Sequence, residues 1–180
     1  MPTERESSVA VEPSPRFAIV PLDVRRHDRE AFTCGDEGLD RYLQHQASQD
    51  MRRKANAVFV LSPDDAPDFI AGYYALCGVG VDPGRVPSEL AKKLPRYPQM
   101  SATLLSRLAV ASALHGRGLG GIMLVDALQR AHRASAEVGS VMVVTDPVDA
   151  TAEAFYAHFG FQKLSGVNRM FVLMATIARL

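Results

Sequence analysis

The segment at residues 104–128 constrains the fold of this chain more than any other. It begins with an apolar run at 104–110 and passes through His-Gly-Arg-Gly-Leu-Gly-Gly into a segment with helical periodicity. Apolar residues of that last segment recur at three- and four-residue intervals, which predicts a helix with one buried side. They are Leu119, Met123, Leu124, Ala127, Leu128 and Ala131. A strand, a glycine turn and a helix in this order leave unpaired N–H groups at the helix start, where the helix dipole also favours an anion. The segment therefore predicts a site for a phosphate-containing ligand.

Three kinds of phosphate-binding loop carry glycines of this sort. A Walker-type loop ends in Gly-Lys-Ser/Thr, which does not occur here. A dinucleotide-binding fingerprint, Gly-x-Gly-x-x-Gly, opens a βαβ unit near the start of a domain, whereas the glycines at 116–121 lie in the second half of the chain. The sequence His115-Gly116-Arg117-Gly118-Leu119-Gly120 instead resembles the acyl-coenzyme A loop of the GCN5-related N-acetyltransferases (GNAT). That loop has Gln or Arg, two residues, Gly, one residue, and Gly or Ala, so His115 departs from it. An ordinary glycine-rich turn is the alternative interpretation.

A second motif follows the first in the order that the GNAT family has. Residues 152–161 (AEAFYAHFGF) resemble the family segment A-x-x-x-Y-x-x-x-G-F, and two motifs in the right order make a chance match less credible than one. The resemblance covers residues 36–174 and is closest to the acetyltransferase toxins encoded beside ribbon-helix-helix antitoxins. The segments that resemble their hallmarks are Phe32-x-Cys34-Gly35, Leu39-Asp40-x-Tyr42-Leu43, Gly72-Tyr73-Tyr74, Leu94-Pro95-Arg96-Tyr97-Pro98 and Arg107-Leu108-Ala109-Val110.

This resemblance implies an activity and a set of partners. Toxins of this subgroup use acetyl-coenzyme A to acetylate the α-amino group of aminoacyl-tRNA, which stops translation, and they are commonly dimers. The resemblance therefore implies acetyl-coenzyme A as cosubstrate, aminoacyl-tRNA as substrate, a ribbon-helix-helix antitoxin as partner and a homodimer. Two alternatives stay open: a housekeeping N-acetyltransferase that acts on a small amine or a protein N-terminus, and a coenzyme A-binding module without catalysis.

The motifs also assign candidate residues to the acetyl donor and to proton transfer. We expect backbone N–H groups of the strand to bind the pantetheine arm and polarise the thioester, and the loop amides to bind the pyrophosphate. The candidate cofactor-binding residues are Leu108, Ala109, Val110, His115, Gly116, Arg117, Gly118, Leu119 and Gly120. Tyr156 occupies the position of the family's acid, so the resemblance implies that it protonates the departing thiolate. Helical spacing alone would place Tyr156 in the core with Phe155 and Phe159.

Two cationic clusters are candidates for contact with RNA. Contacts to phosphates give affinity without sequence choice, and an aromatic side chain can stack on a base. The candidate substrate-binding residues are Arg52, Arg53, Lys92, Lys93, Arg96 and Tyr97. Two other interpretations stay open. Cations at the end of a helix also stabilise its dipole, and charge alone is equally compatible with two solvated surface patches that bind no RNA.

Composition limits the other classes of function. Lys and Arg together number 20, as do Asp and Glu, so the net charge gives no global signature of nucleic-acid binding. Two cysteines are too few for a disulfide scaffold or a cysteine zinc site, and the histidines have no spacing for a metal. No apolar stretch approaches the roughly 20 residues of a membrane helix, and the N-terminus lacks a signal peptide's apolar segment. We therefore expect a cytoplasmic protein without a metal and without a membrane partner.

The order of predicted elements indicates the fold class. Residues 1–15, with three prolines and three glutamates, predict a flexible tail, and residues 16–180 a single domain. Strands are predicted at 16–22, 55–61, 69–81, 104–110, 139–146, 161–164 and 168–174. Helices are predicted at 36–53, 87–94, from 119 onward, and from an Asp149 cap to Gly160. Alternating helices and strands in the second half, with a hairpin-like middle, predict an α/β fold with a mixed, mostly antiparallel central sheet flanked by helices.

Overall fold

A computed structural model of the chain describes residues 16–180, so the predicted tail at 1–15 lies outside the described residues. The fold is built on one seven-stranded sheet with the strand order β1-β2-β3-β4-β5-β7-β6. The strands are β1 (Phe17–Pro21), β2 (Ala57–Pro63), β3 (Gly72–Val81), β4 (Met100–Val110), β5 (Met142–Thr145), β6 (Gln162–Lys163) and β7 (Met170–Leu173). Only the β4–β5 pair is parallel among the strand pairs of the described chain. The predicted mixed, mostly antiparallel sheet is confirmed.

Six α-helical segments flank the sheet within the described residues. They are α1 (Glu37–Arg41), α2 (Ala47–Arg52), α3 (Ser88–Ala91), α4 (Leu119–Ala134), α5 (Ala150–His158) and α6 (Met174–Ile177). In α4, all six residues of the predicted apolar stripe are buried. Asp36 caps α1 and Asp149 caps α5, as predicted, by accepting hydrogen bonds from the backbone N–H groups of Leu39 at 3.0 Å and Ala152 at 2.7 Å.

The prediction of one regular helix at 36–53 was wrong in its middle. A π-helical segment, Tyr42–Gln46, separates α1 from α2. A π turn holds more residues than an α turn, so it shifts the side chains that follow it around the helix axis. Gln46, which α-helical spacing places on the buried face, is exposed for this reason, whereas Tyr42 and Ala47 are buried.

Other elements differ from the predictions at their ends. β4 begins at Met100 rather than at 104, because it pairs with β3 along almost its whole length, from Gly72 opposite Val110 to Val81 opposite Met100. The helix predicted at 87–94 is regular only over α3, since Pro95 and Pro98 cannot continue it. The last helix, α6, was not predicted.

The core lies on both faces of the sheet. On one face α4 and α5 bury Leu124, Leu128 and Tyr156, and on the other face the α1–α2 segment buries Tyr42 and Leu43 against Tyr73. Each sheet face is therefore covered by helices, as in other three-layer arrangements.

The sheet opens between β4 and β5. These strands pair only where Ala102 to Leu105 lie opposite Met142 to Thr145. β5 then ends, whereas β4 continues to Val110. The last residues of β4 therefore have a strand neighbour on one side, β3, and a gap on the other.

Candidate active site

A cavity of about 550 Å³ occupies the gap beside the end of β4. Its walls come from β4, from the glycine-rich loop with the start of α4, and from the start of α5. The lining residues are Leu108, Val110, Leu114, His115, Gly116, Gly118, Leu119, Gly120, Val148, Asp149, Thr151, Ala152, Phe155 and Tyr156. One cavity thus brings together the glycine loop and the tyrosine, which lie far apart in the sequence.

The backbone of β4 presents amides to this cavity. Ala111 donates its N–H to the carbonyl of Ala71, which continues the pairing with β3 at 2.8 Å. Since successive N–H groups of a strand point to opposite sides, the N–H groups of Leu108 and Val110 point away from β3 and into the gap. Two donors on one extended strand suit an amide-rich, extended ligand such as a pantetheine arm.

The glycine-rich loop has the backbone conformation that its sequence predicts. Gly116 and Gly118 have φ angles of +77° and +75°, a region that other residues rarely adopt. Gly118 is the N-cap of α4 and has no side chain to cap the helix, so the first amides of α4 remain available to an anion. A Cβ added at either glycine would meet no atom within 4 Å, so the loop borders open space. These features fit a pyrophosphate.

Seven of the nine candidate cofactor-binding residues line the cavity, and two do not. Ala109 has its side chain in the core on the opposite face of the sheet, because side chains alternate along β4. Arg117 is exposed and lies outside the lining. His115 lines the cavity, and a ring nitrogen, Nε2, lies 2.8 Å from the carbonyl oxygen of Val110. When that nitrogen carries the proton, His115 ties the loop to the end of β4.

Tyr156 lines the cavity and is largely buried. Its side chain is 8% exposed, and its ring packs on Phe155 and Phe161 at centroid distances of 5.2 and 5.4 Å. Burial raises the pKa of Tyr156 above its ordinary value, and the nearby Thr145 hydroxyl offsets this only in part. The phenol therefore keeps its proton at neutral pH. The tyrosine is at once a core aromatic and a cavity-lining side chain with a protonated hydroxyl, so its two interpretations from sequence are compatible.

The candidate RNA-binding residues all lie on the surface. Arg52 and Arg53 end α2, and Lys92, Lys93, Arg96 and Tyr97 follow α3, with Tyr97 65% exposed. Lys92 forms an ion pair with Glu89 at 2.8 Å. The two clusters belong to separate elements. Their exposure is compatible with contact with RNA and, for the cluster at the end of α2, with stabilisation of the helix dipole.

Sequence reasoning missed part of the cavity wall. Val148, Asp149 and Thr151, at the start of α5, line the cavity opposite the glycine loop. Asp149 was predicted only as a helix cap. The signal available in the sequence was the order strand, Asp-Pro turn and helix at 142–152, which resembles the order of strand, turn and helix around the first motif.

Comparisons with known proteins agree with this geometry. The family described as acetyltransferase (GNAT) domain matches residues 98–171. A protein of Sinorhizobium fredii named probable toxin TacT is 31% identical over 170 residues, which are 90% of this chain and 93% of the relative. The chain belongs to the GNAT acetyltransferase toxins. A second such toxin, the tRNA-acetylating toxin of Mycobacterium tuberculosis, is 32% identical over 135 residues, 75% of this chain and 78% of the relative.

Solved structures of GNAT toxins share the fold. AtaT complexed with acetyl-methionyl-tRNAfMet superposes with a TM-score of 0.84 at 27% identity, covering 91% of this chain and 98% of AtaT. AtaTR bound with acetyl-coenzyme A gives 0.79 at 28% identity, covering 91% and 96%. A mutant AtaT toxin bound to the C-terminus of the antitoxin AtaR gives 0.76 at 25% identity, with the same coverage.

As a GNAT toxin, the chain is an N-acetyltransferase that uses acetyl-coenzyme A. No group of His, Cys, Asp and Glu side chains between residues 16 and 180 has an arrangement that would hold a metal ion. In the same part of the chain, none of the helices combines the length and the apolar character that crossing a membrane requires.

Proposed function

We propose that this protein is a toxin that acetylates the α-amino group of aminoacyl-tRNA and so blocks translation. The observation that carries the proposal is one cavity that joins a pyrophosphate-fitting loop to a buried tyrosine, in a chain 32% identical to a tRNA-acetylating toxin. The AtaT complex with acetyl-methionyl-tRNAfMet supports the same class of acceptor.

Each part of the cavity has a role in this reaction. Acetyl-coenzyme A, when bound, supplies a thioester whose carbonyl the amine attacks. The glycine loop and the first amides of α4 bind its pyrophosphate, and the N–H groups of Leu108 and Val110 bind the pantetheine arm and polarise the carbonyl. The α-amino group, with an ordinary pKa of about 7.7–8.0, is partly neutral at pH 7 and needs no strong base. Tyr156 donates its proton to the sulfur as the carbon–sulfur bond breaks. The nitrogen that forms the new carbon–nitrogen bond releases its proton to solvent, and the tyrosine regains a proton from solvent.

The exposed cations fit the acceptor. Arg52 and Arg53 would contact phosphates from the end of α2, and Lys93 and Arg96 from the loop after α3. Tyr97, which is largely exposed, is free to stack on a base. Because binding to RNA depends on the local field, the zero net charge of the chain does not oppose this role.

The proposal extends to partners and place of action. We infer that a ribbon-helix-helix antitoxin neutralises the protein by covering the basic clusters or the cavity with an acidic or amphipathic segment. The bound AtaR C-terminus in an AtaT relative supports a segment of this kind. The protein would act in the cytoplasm, where charged tRNA is found, and as a homodimer, which light scattering of the purified protein tests directly.

The test compares charged with deacylated tRNA. The purified protein is incubated with labelled acetyl-coenzyme A and bulk tRNA in either form, across a series of salt concentrations. We expect label only on charged tRNA, a steep loss of rate with salt, and growth arrest on expression of the wild type. Equal activity on free small amines, with harmless expression, would favour a housekeeping acetyltransferase, and binding of coenzyme A without turnover would favour a binding module.

A further inference from the structure

Arg107 lies next to the candidate active site but points to the other face of the sheet. It precedes Leu108, which lines the cavity, and side chains alternate along a strand. Its guanidinium stacks on the ring of Tyr42, with the central carbon 3.6 Å from the ring centroid. Tyr42 belongs to the π-helical segment between α1 and α2, which packs on that face. Arg107 therefore lies beside the gap in the sheet, on the face opposite the cavity that fits acetyl-coenzyme A.

The guanidinium of Arg107 has no anionic partner in residues 16–180. Its hydrogen bond to the hydroxyl of Ser106 is long, 3.5 Å, and it takes part in no ion pair there. Other half-buried arginines of the chain are paired: Arg130 with Asp126 at 3.2 Å, and Arg169 with Asp146 at 2.6 Å. Stacking on Tyr42 fixes the position of the Arg107 guanidinium without neutralising its charge.

The paired arginine, Arg169, marks the other side of the gap. It adjoins β7 at Met170, which lies opposite Thr145, the last residue of β5. Both cations lie near the thiol of Cys77: burial raises the pKa of this thiol, the charges of Arg107 and Arg169 each lower it, and the carboxylate of Asp50 raises it. Asp146 pairs with Arg169, so Arg107 is the cation at this gap that forms no ion pair within residues 16–180, and it lies where an acceptor would approach the acetyl donor.

Tyr42 adds a buried hydroxyl and an irregular helical segment to this surface. Its side chain is 2% exposed, and its hydroxyl makes no hydrogen bond of ordinary geometry within the described residues, although the carboxylate of Asp50 lies close enough to raise the pKa of the phenol. π-helical segments occur frequently at functional sites. The stack of Arg107 on Tyr42 thus places a fixed cation, which forms no ion pair in the described residues, on a segment of this kind.

We infer that Arg107 is a positioning residue that binds the phosphate nearest to the aminoacyl ester of the acceptor. This inference rests on the proposed function, because it assigns the acceptor's terminal phosphodiester to one side chain. An arginine has a planar fork of donors that matches two phosphate oxygens, and stacking on an aromatic ring orients that fork in advance. Arg107 would hold the 3′ end so that the α-amino group enters the gap toward the thioester.

Two acceptor substrates distinguish binding of the phosphate from binding of the rest of the acceptor. Both carry the amino acid of whichever tRNA the wild type acetylates: one is an aminoacylated CCA trinucleotide, which contains phosphates, and the other is aminoacyl-adenosine, which contains none. The variants are Arg107→Gln, which removes the charge, and Arg107→Lys, which keeps it without the fork. Arg133→Gln, which changes an exposed arginine near the end of α4, is the matched control.

For Arg107→Gln we expect KM for the trinucleotide to rise roughly 10-fold or more, the range for a lost charge-assisted hydrogen bond. KM for acetyl-coenzyme A and kcat/KM for aminoacyl-adenosine should stay within about 2-fold, and Arg107→Lys should recover part of the loss. The slope of log kcat/KM for charged tRNA against log salt should become shallower by about 0.7, the value for one phosphate of a single strand.

Other results would overturn the inference. An equal loss on both acceptors would show that Arg107 supports the chemistry or the fold rather than a phosphate, and so would an unchanged salt slope. Loss of activity in both Arg107 variants together with a lowered melting temperature would assign the residue to stability. A wild type that acetylates no charged tRNA, but is active on small amines, would refute the proposed function itself, and that outcome is visible before any variant is made.

Discussion

Gly118 is the residue whose replacement tests the donor site most directly. Its φ of +75° favours glycine, but Asn and Asp tolerate this region, and an added Cβ would meet no atom within 4 Å. Gly118→Asp should therefore fold and weaken coenzyme A binding by at least about 10-fold, because a carboxylate would face the pyrophosphate across short distances. Calorimetry measures the affinity. Gly118→Asn, of equal size and no charge, is the control and should bind much more tightly than Gly118→Asp. Equal affinity in the two variants would show that the pyrophosphate does not bind at this loop.

Tyr156 carries the second prediction at this scale. Tyr156→Phe keeps the ring that packs on Phe155 and Phe161, so the fold and coenzyme A binding should persist. Acetyl transfer should slow by roughly 10²–10⁴-fold, the usual range for general acid–base catalysis. Because burial raises the pKa of Tyr156, its protonated form persists at high pH, so the wild-type rate should not fall from its ionisation until above about pH 10. Near-normal turnover of the Phe variant in steady-state assays would leave Tyr156 with a packing role alone.

At the scale of elements, the end of α2 combines strain with charge. Ala55 donates its N–H to the carbonyl of Asp50 and Lys54 to that of Met51, which is a Schellman motif. The position that glycine usually fills in this motif holds Lys54, with a φ of +59°. A lysine in this conformation costs about 1 kcal/mol or more.

Lys54→Gly should therefore stabilise the protein by about 0.5–1 kcal/mol, as urea unfolding would show. If the lysine is kept at this position for contact with RNA, the same variant should raise KM for charged tRNA and reduce its salt dependence. Lys54→Asn, which also suits the left-handed region and lacks the charge, should reproduce the effect on KM. If the variant is more stable and binds tRNA as tightly as the wild type, Lys54 contributes neither to stability nor to RNA binding.

The elements also show how far sequence patterns reach. The glycine loop, α4 and the Asp caps follow from local rules, since turn residues, caps and apolar spacing act within a few positions. The π-helical segment at Tyr42 does not, because its extra residue is selected by packing on β3, where Tyr42 stacks on Tyr73 with centroids 6.2 Å apart. The early start of β4 likewise depends on pairing with β3, which is distant in sequence.

The same distinction applies to the candidate site. The part that fits acetyl-coenzyme A was predicted from two motifs. A motif does not show which way a backbone N–H or a side chain points: the N–H of Ala109 points to β3, and Arg117 lies outside the cavity lining. Arg107 was noted only as part of a family hallmark. Its unpaired charge is a property of three elements together, namely β4, the π-helical segment and the end of β5, and no single stretch of sequence contains it.

For the molecule as a whole, the buried ionisable groups predict where stability is lost. Burial raises the pKa of the Cys34 thiol to about 11 and that of the Tyr42 phenol to about 12, and it also raises the pKa values of Tyr73 and Tyr74. All four groups are neutral when protonated. Their protonated forms are thus favoured by folding, whereas the unfolded chain releases these protons at ordinary pKa values of about 8.5 for thiols and 10 for phenols.

The free energy of unfolding should accordingly be independent of these groups below about pH 8 and decline as pH rises from about 9 through 11 and 12. One such group changes the slope by at most about 1.4 kcal/mol per pH unit, so Cys34 alone should account for roughly 1 kcal/mol per unit between pH 9 and 11. Urea unfolding at pH 8, 9.5 and 10.5 measures the slope in the wild type and in Cys34→Ser, whose hydroxyl does not ionise in this range. The variant should start less stable or equal at pH 8 and lose stability more slowly as pH rises. If the free energy of unfolding has the same slope against pH in both proteins, Cys34 ionises as readily in the folded protein as in the unfolded chain. That result would conflict with the burial of Cys34 and its proximity to Asp36 and Asp40.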